Sequence, residues 1–301
     1  MSASSVLFDL PGPRARRRQR IGGAVGLVFV LFLVGLMLWR LGTNGQLDPA
    51  RWAILFDTRT NVPQRLLGAL VNTLQVAAVG MVAATALGAL LAVGRLSDHT
   101  WVRIPVAAVI EFFRAVPLLV LILFCFLFLP RIGIQTSAFG ALALGLTLYN
   151  MAVLAEIIRA GILSVDRGQS EAAFALGLRK WQVMTFVLVP QAVRRMLPVL
   201  IAQLVVLLKD SSLGFIVGYL ELLRTARSLV ETLNFQFGPI YTFQLYVAAG
   251  LIYIVVNVLL SQLAKFVEGR TRRNKKAAAT AEVALPVDMQ MGGGGGAAPH
   301  V

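Results

Sequence analysis

The chain has 301 residues, of which 57% are apolar and 14% charged, and its mean hydropathy of +0.77 excludes a soluble domain and marks an integral membrane protein. The net charge of +14 does not point to nucleic acid, because the basic residues stand at the ends of apolar runs instead of forming a stripe with interleaved aromatics. Cys125 is the only cysteine and lies in an apolar run, the histidines are limited to His99 and His300, and no Gly-Lys pair occurs, so a disulfide within the chain, a cysteine-based metal site and an ATP-binding P-loop are all excluded.

In chain order, a basic tail over 1–20 carries Arg14, Arg16, Arg17, Arg18 and Arg20 and precedes an apolar run from Ile21 to Trp39. That run is about 19 residues long, enough to cross a ~30 Å hydrocarbon core. Trp39-Arg40-Leu41 offers no small-x-small cleavage site, so 21–41 is expected to stay as a first transmembrane helix. The connection 42–64 holds Asp48-Pro49, Asp57 and Asn61-Val62-Pro63 and reads as a turn-rich loop with an interfacial patch at Trp52 to Phe56. Further apolar segments at 66–94, 105–130, 138–158, 196–217 and 243–266 bring the expectation to about six spans in an all-α membrane protein. Between the fourth and fifth lies a polar connection ending at residue 195, long for a helix-to-helix link and therefore a candidate for function. Residues 221–233 read as an amphipathic outer helix with Glu221 and Arg224 spaced to pair. The tail 268–301 turns to Lys-Lys, Ala-rich and then Gly-rich sequence and is expected to be disordered.

Placing both termini in the cytoplasm puts about 19 basic residues inside against about 7 outside, which favours that orientation in a cell membrane. The long connection then faces the cytoplasm. Within it, 168–180 reads as a helix with Ser170 as its N-cap and Glu171 in its first turn. A second short helix is expected from Trp181 to Pro190, with Gly177 as the step between them.

The run Glu171-Ala172-Ala173, three residues, Gly177, nine residues, Val187-Leu188-Val189-Pro190 resembles the EAA loop of ABC importer permeases, with Val187 and Val189 replacing Ile and Leu. A lipid-surface helix is the plainer alternative for the same segment. The likeness extends over about 65–267. Leu70-Val71-Asn72-Thr73-Leu74, Glu111-Phe112-Phe113-Arg114-Ala115-Val116-Pro117, Glu156-Ile157-Ile158-Arg159-Ala160-Gly161 and Lys209-Asp210-Ser211-Ser212-Leu213 are similar to the polar amino-acid permeases. Where that family has Arg-Gly-Thr-Pro this chain has Arg114-Ala115-Val116-Pro117, without the threonine hydroxyl.

The resemblance implies a type I importer fold, a five-helix core over 65–267 with one extra amino-terminal helix, and a coupling loop at 161–195 using Glu171, Ala172, Ala173, Gly177 and Pro190. It implies a non-catalytic subunit that binds no cofactor itself. Its partners would be ATP-binding cassette subunits using ATP and magnesium, a second permease subunit, an extracytoplasmic amino-acid-binding protein and membrane lipid.

Arg114, Lys209 and Asp210 lie within apolar segments, where a charge costs at least ~2.5 kcal/mol and needs a partner or a wet cavity. One reading is a substrate path in which Arg114 or Lys209 meets carboxylates, Asp210 an ammonium group and Ser212 a polar group, with Ser211 and Ser212 opening a half-helix whose positive end faces the ligand. The other is an Arg114–Asp210 ion pair between helices. Ser5-Val6-Leu7-Phe8-Asp9 with Pro11-Gly12-Pro13 resembles the start of the glutamate-uptake branch, so glutamate or aspartate is the expected cargo, with arginine, histidine or glutamine as alternatives. An ion-coupled secondary transporter would instead use Asp210 and Glu156 as a proton relay.

Overall fold

The computed structural model describes residues 12–283, and among them helices are joined by short turns with no strand. The helices are α1 (Pro13–Thr43), α2 (Pro49–Trp52), α3 (Val62–Arg95), α4 (Thr100–Ala115), α5 (Leu118–Leu127), α6 (Ala138–Leu163), α7 (Arg167–Ala175), α8 (Lys180–Gln182), α9 (Val189–Asp210), α10 (Leu222–Phe237) and α11 (Thr242–Val283). Five stretches are long and apolar enough to cross a membrane, namely 14–43, 62–95, 138–163, 180–215 and 242–263. A sixth is formed by α4 and the 118–132 segment, bent against each other by 95°.

That bend divides the apolar segment 105–130 into two helices. Proline disfavours helical geometry in the residue before it, and Val116 accordingly adopts φ −79° and ψ 128° ahead of Pro117. Arg114 therefore sits in the last turn of a half-span. α11 in turn runs past Asn274, where the composition suggested disorder, to Val283. The rest of the tail and the Ser5–Pro11 segment lie outside the described residues.

Two units make up the chain. In the first, built from residues up to Pro63 with Leu229–Val247, Asp48 caps α2 by accepting from the Ala50 amide at 3.0 Å. The Trp52 indole donates to the Gln46 carbonyl at 3.0 Å and meets Phe243 edge-on. The buried amide of Gln244 donates to that same carbonyl at 3.0 Å. None of the apolar window of α1 is buried, which leaves Val25 to Trp39 to lipid.

The second unit, Gln64–Ser228 with the residues from Ala248, is organised around α6, whose apolar window is 61% buried. Leu142 and Leu146 of α6 pack with Val76, Ile122, Leu207 and Leu208. One helical repeat further on, Met151 and Leu154 pack with Ala84 and Phe113. A polar clamp crosses this core: Gln203 donates to Asn150 at 2.8 Å, and Asn150 donates to the Leu146 carbonyl at 2.8 Å.

α5 and α6 approach so closely that a Cβ on Gly145 would stand 2.5 Å from Cγ1 and 2.9 Å from Cα of Ile122. Backbone cannot yield as a side chain can, so Gly145→Ala is expected to cost about 1–3 kcal/mol. A lowered unfolding temperature and yield of purified protein would register it. An unchanged unfolding temperature would contradict the close packing.

Candidate functional site

The polar connection after α6 is a helix, a tight turn and a second helix. α7 starts at Asp166, whose carboxylate accepts from the Gly168 amide at 2.8 Å. Asp166, not Ser170, is thus the cap; the Ser170 hydroxyl donates inward to the Arg167 carbonyl at 2.7 Å. Glu171 falls in the middle of α7 and is exposed, as are Ala172 and Phe174, while Ala173 is buried.

Gly177 ends the helix in the left-handed region at φ +77°. Its amide donates to Phe174 at 2.9 Å and that of Leu178 to Ala173 at 3.2 Å, the paired bonds that close a helix over a glycine. Gln182 reaches back to accept from the Arg179 amide at 2.8 Å and starts α8. The turn leaves Phe174, Leu176 and Trp181 exposed, Leu176 at 83%.

The second helix does not stop at Pro190, as the sequence suggested. A π-helical stretch over Val183–Leu188 carries α8 into α9. That wider turn rearranges the hydrogen-bond ladder where the missing proline N–H would otherwise break it. Pro190 is exposed on the outside of this joint. The result is one helical stretch from Lys180 to the Lys209–Asp210 end of α9, about 45 Å long at the helical rise.

The loop is fastened to the bundle at several points. Arg195 donates to the Ser164 carbonyl, Gln191 donates to Gln169 at 3.2 Å, and Ile162, Val165 and Ala192 form a small core. Lys180 pairs with Asp98 in the connection before α4. The Lys180 hydrogen bond, followed by its charge, holds the Asp98 carboxyl below its ordinary 3.8. A depressed pKa means this pairing is present above the ordinary carboxylate value and is lost only as the pH falls through the lower one. Behind the tie lies a cavity of about 600 Å³ lined by Leu96, His99, Ile162, Arg179 and Met184 among others. Exchanging the two charges tests the tie. Asp98→Lys and Lys180→Asp are each expected to lower transport, and the double exchange to restore it, in a double-mutant cycle of uptake rates; additive losses would rule the tie out.

At the other end of this helix, Lys209 occupies the last turn of α9, where a cation complements the carbonyl end. It is exposed, Asp210 and Ser212 are half-buried, and Ser211 is buried with its hydroxyl donating to the Leu208 carbonyl at 2.7 Å. A 3₁₀ turn over Ser211–Phe215 follows. The expected positive half-helix end at Ser211–Ser212 is therefore absent: the helix terminus presented at Asp210 is a carboxyl end.

The structure does not bring Arg114 to this turn, and no ion pair joins it to Asp210 among the described residues. Leu207 and Leu208 pack at Leu142 and Leu146, whereas Phe113 packs at Met151 and Leu154, about 12 Å further along α6. Glu156 lies ten residues beyond Leu146, about 15 Å along the helix. It is engaged by Arg159 at 2.9 Å and Arg95 at 3.7 Å, and Arg95 also reaches Glu111 at 3.9 Å. A carboxylate so distant and so paired is poorly placed to exchange protons with Asp210.

One buried charge went unrecognised in the sequence. Glu221 does not pair with Arg224 on a solvated face; it is fully buried and caps α10, accepting from the Leu223 amide at 2.8 Å and the Arg224 amide at 2.6 Å. The Tyr253 hydroxyl donates to it at 2.7 Å. The Arg224 and Arg227 guanidiniums instead lie 5.9 and 5.1 Å from the Phe215 ring centre. A carboxylate just before a helical run, two and three residues ahead of amides it can cap, was the available signal. Among the described residues no group of three His, Cys, Asp or Glu side chains is arranged to hold a metal ion.

Residues 84–273 match the family described as binding-protein-dependent transport system inner membrane component. The chain is 40% identical over 242 residues to the glutamate transport system permease protein GluD of Corynebacterium glutamicum, covering 78% of this chain and 86% of that one. It is also 40% identical over 166 residues to the probable glutamine ABC transporter permease protein GlnP of Bacillus subtilis, covering 55% of this chain and 74% of GlnP. A solved amino acid ABC transporter with histidines superposes with a TM-score of 0.64 at 30% identity, over 71% of this chain and 97% of that one. The chain belongs to the binding-protein-dependent transport system inner membrane components, among the amino-acid ABC importer permeases.

Proposed function

We propose that this chain is the membrane subunit of an ATP-driven importer of glutamate or aspartate. ATP-binding cassette subunits grip the exposed surface of α7 around Glu171 and Ala172 with Phe174, Leu176 and Trp181. A second permease subunit completes the path across the membrane, and a binding protein delivers the amino acid from outside. Both termini lie in the cytoplasm, in keeping with the excess of basic residues on that side. The observation that carries the reading is the continuous helical stretch joining the loop to the Lys209–Asp210 turn, which gives domain closure in an ATPase a covalent helical path to that turn.

At that turn Lys209 meets a substrate carboxylate, Asp210 its ammonium group, and Ser212 a polar atom, while Arg114 serves a separate stage of the same path. The likeness to GluD favours glutamate; the equal identity to GlnP over a shorter stretch makes glutamine the second reading. The test is reconstitution of the permease with its ATPase subunits and binding protein in liposomes, followed by uptake of labelled amino acids. ATP-dependent glutamate or aspartate accumulation is expected. Accumulation of glutamine or arginine alone would overturn the substrate, and uptake that needs no ATP would overturn the mechanism.

A further inference from the structure

Behind the Lys180–Asp98 pair the loop and the bundle leave a cavity of about 600 Å³, a size common for small-ligand sites. Its walls are apolar: Leu96 just after α3, Ile162 of α6, and Met184 and Val189 at the start of the long helical stretch. Its mouth carries His99 and Arg179, both exposed. Asp98 is the single carboxylate in this lining, and Lys180 already pairs with it. No carboxylate pairs with the Arg179 guanidinium, or with that of Arg103, among the described residues. The Arg103 amide donates to the His99 carbonyl at 3.0 Å, so Arg103 stands one turn beyond His99 on the same face of α4. The cavity lies at the edge of the bilayer, because the span of α3 ends at Arg95, the 180–215 span begins at Lys180, and the lining comes from both of these ends. Trp101, exposed and with its ring 6.1 Å from that of His99, is of a type that collects at headgroup level. Val71, Val82 and Val93 of α3 are all exposed. Their eleven-residue spacing is about three turns and sets them on one face, and Val93 is itself part of the cavity wall.

We propose that this cavity is a binding site for an anionic phospholipid, with the phosphate held by Arg179 and an acyl chain lying on Leu96, Ile162, Met184 and Val189. An apolar space offers water too few polar partners to hold it, and left empty it forfeits dispersion contacts along its walls. A hydrocarbon chain from the adjoining bilayer satisfies those walls, and the exposed stripe from Val93 to Val71 continues its track along the span. The cation selects the headgroup, since a guanidinium fork matches two phosphate oxygens. Lys180 is committed to Asp98, which leaves Arg179 to decide, with Arg103 adding positive charge on the same side. A soluble anion would use Arg179 and leave the apolar walls bare. Seated there, the lipid braces the start of the helical stretch against the end of α3, beside the Lys180–Asp98 pair. The inference stands on the span ends and the cavity, and needs neither the cargo nor the sidedness proposed above.

The experiment strips the complete transporter of lipid in detergent, titrates it with phosphatidylglycerol or phosphatidylcholine, and counts bound lipid by native mass spectrometry. One tightly held phosphatidylglycerol per copy of this chain is expected, with phosphatidylcholine bound at least about tenfold more weakly. Arg179→Gln should weaken phosphatidylglycerol about fivefold, the effect of one basic side chain near an anionic headgroup, and leave phosphatidylcholine unchanged. Met184→Trp fills the cavity and should abolish the tight binding; if that variant fails to assemble, Arg179→Gln decides alone. Arg17→Gln removes a cation from the basic amino-terminal run and should change nothing. Undiminished phosphatidylglycerol binding in either cavity variant overturns the proposal. Equal affinity for the two lipids, or equal losses in Arg179→Gln and Arg17→Gln, would reduce the binding to general attraction and overturns it as well. Displacement by glycerol phosphate at matching concentration would make the ligand a soluble anion, and the absence of any tight lipid would give the cavity to a side chain of an ATPase subunit. Either result also overturns the lipid site, and none of these outcomes bears on the uptake assay that tests the cargo.

Discussion

Glu171→Lys is expected to leave the permease in the membrane at its normal abundance while lowering ATP-driven uptake at least tenfold. Glu171 is exposed in the middle of α7 and makes no structural hydrogen bond from its side chain among the described residues, so the change has little to disturb within the chain. Reversing a charge in the centre of a docking surface commonly costs ~2 kcal/mol or more, and each ~1.4 kcal/mol is a factor of ten in affinity. Co-purification of the ATPase subunits and ligand-stimulated ATP hydrolysis should fall together. Ala172→Trp, which adds bulk on the same exposed side, is expected to act likewise. Ala173 is different: it is buried at 5% exposure, so a large residue there should reduce the amount of folded protein as well. If Glu171→Lys retains ligand-stimulated hydrolysis, the exposed side of α7 is not where the ATPase is gripped.

The second large effect is expected at Asp210. Asp210→Asn keeps the shape and removes the charge, and a hydrogen bond to a charged group is worth ~1.5–3 kcal/mol, so uptake should drop about 10- to 100-fold with assembly intact. Lys209→Ala should lower uptake as well, and more for a dicarboxylic amino acid than for its amide if the lysine meets a side-chain carboxylate. Transport rates for glutamate and glutamine with matched binding proteins separate these outcomes. Wild-type rates in both variants would show that the charged turn only closes the helix. Arg114→Ala offers a contrast: its neighbour Phe113 packs about 12 Å further along α6 than Leu207 and Leu208 do, and the change should combine additively with Asp210→Asn if the two residues act at separate stages.

The readable parts of this molecule were those with local causes. Apolar length marked the spans, and the spacing from Glu171 to Pro190 located the loop together with Gly177, whose positive φ only a glycine adopts without strain. The break at Val116 was also local, because the proline that follows excludes helix there, yet the apolar run through Leu127 masked it. Three features depended on partners distant in sequence. Pro190 reads as a stop, but a π-helical stretch and packing of Ala192 against Ile162 and Val165 let the helix continue. Glu221 reads as one half of a surface pair with Arg224, but Tyr253 and the two amides draw it inside. Arg114 and Asp210 read as neighbours because both are charges in apolar runs, but α6 spaces their surroundings apart.

Composition and motif spacing alone therefore determined that this is a helical membrane permease, with a long polar loop between two spans and charges kept within its apolar segments. Hydrophobic length and turn-forming residues act over a few positions and are written in order along the chain. Only the tertiary structure decided that the loop and the Lys209–Asp210 turn belong to one helical stretch, and that Glu221 is buried. A buried carboxylate is stable only where donors from separate helices converge on it, and that convergence is a property of packing.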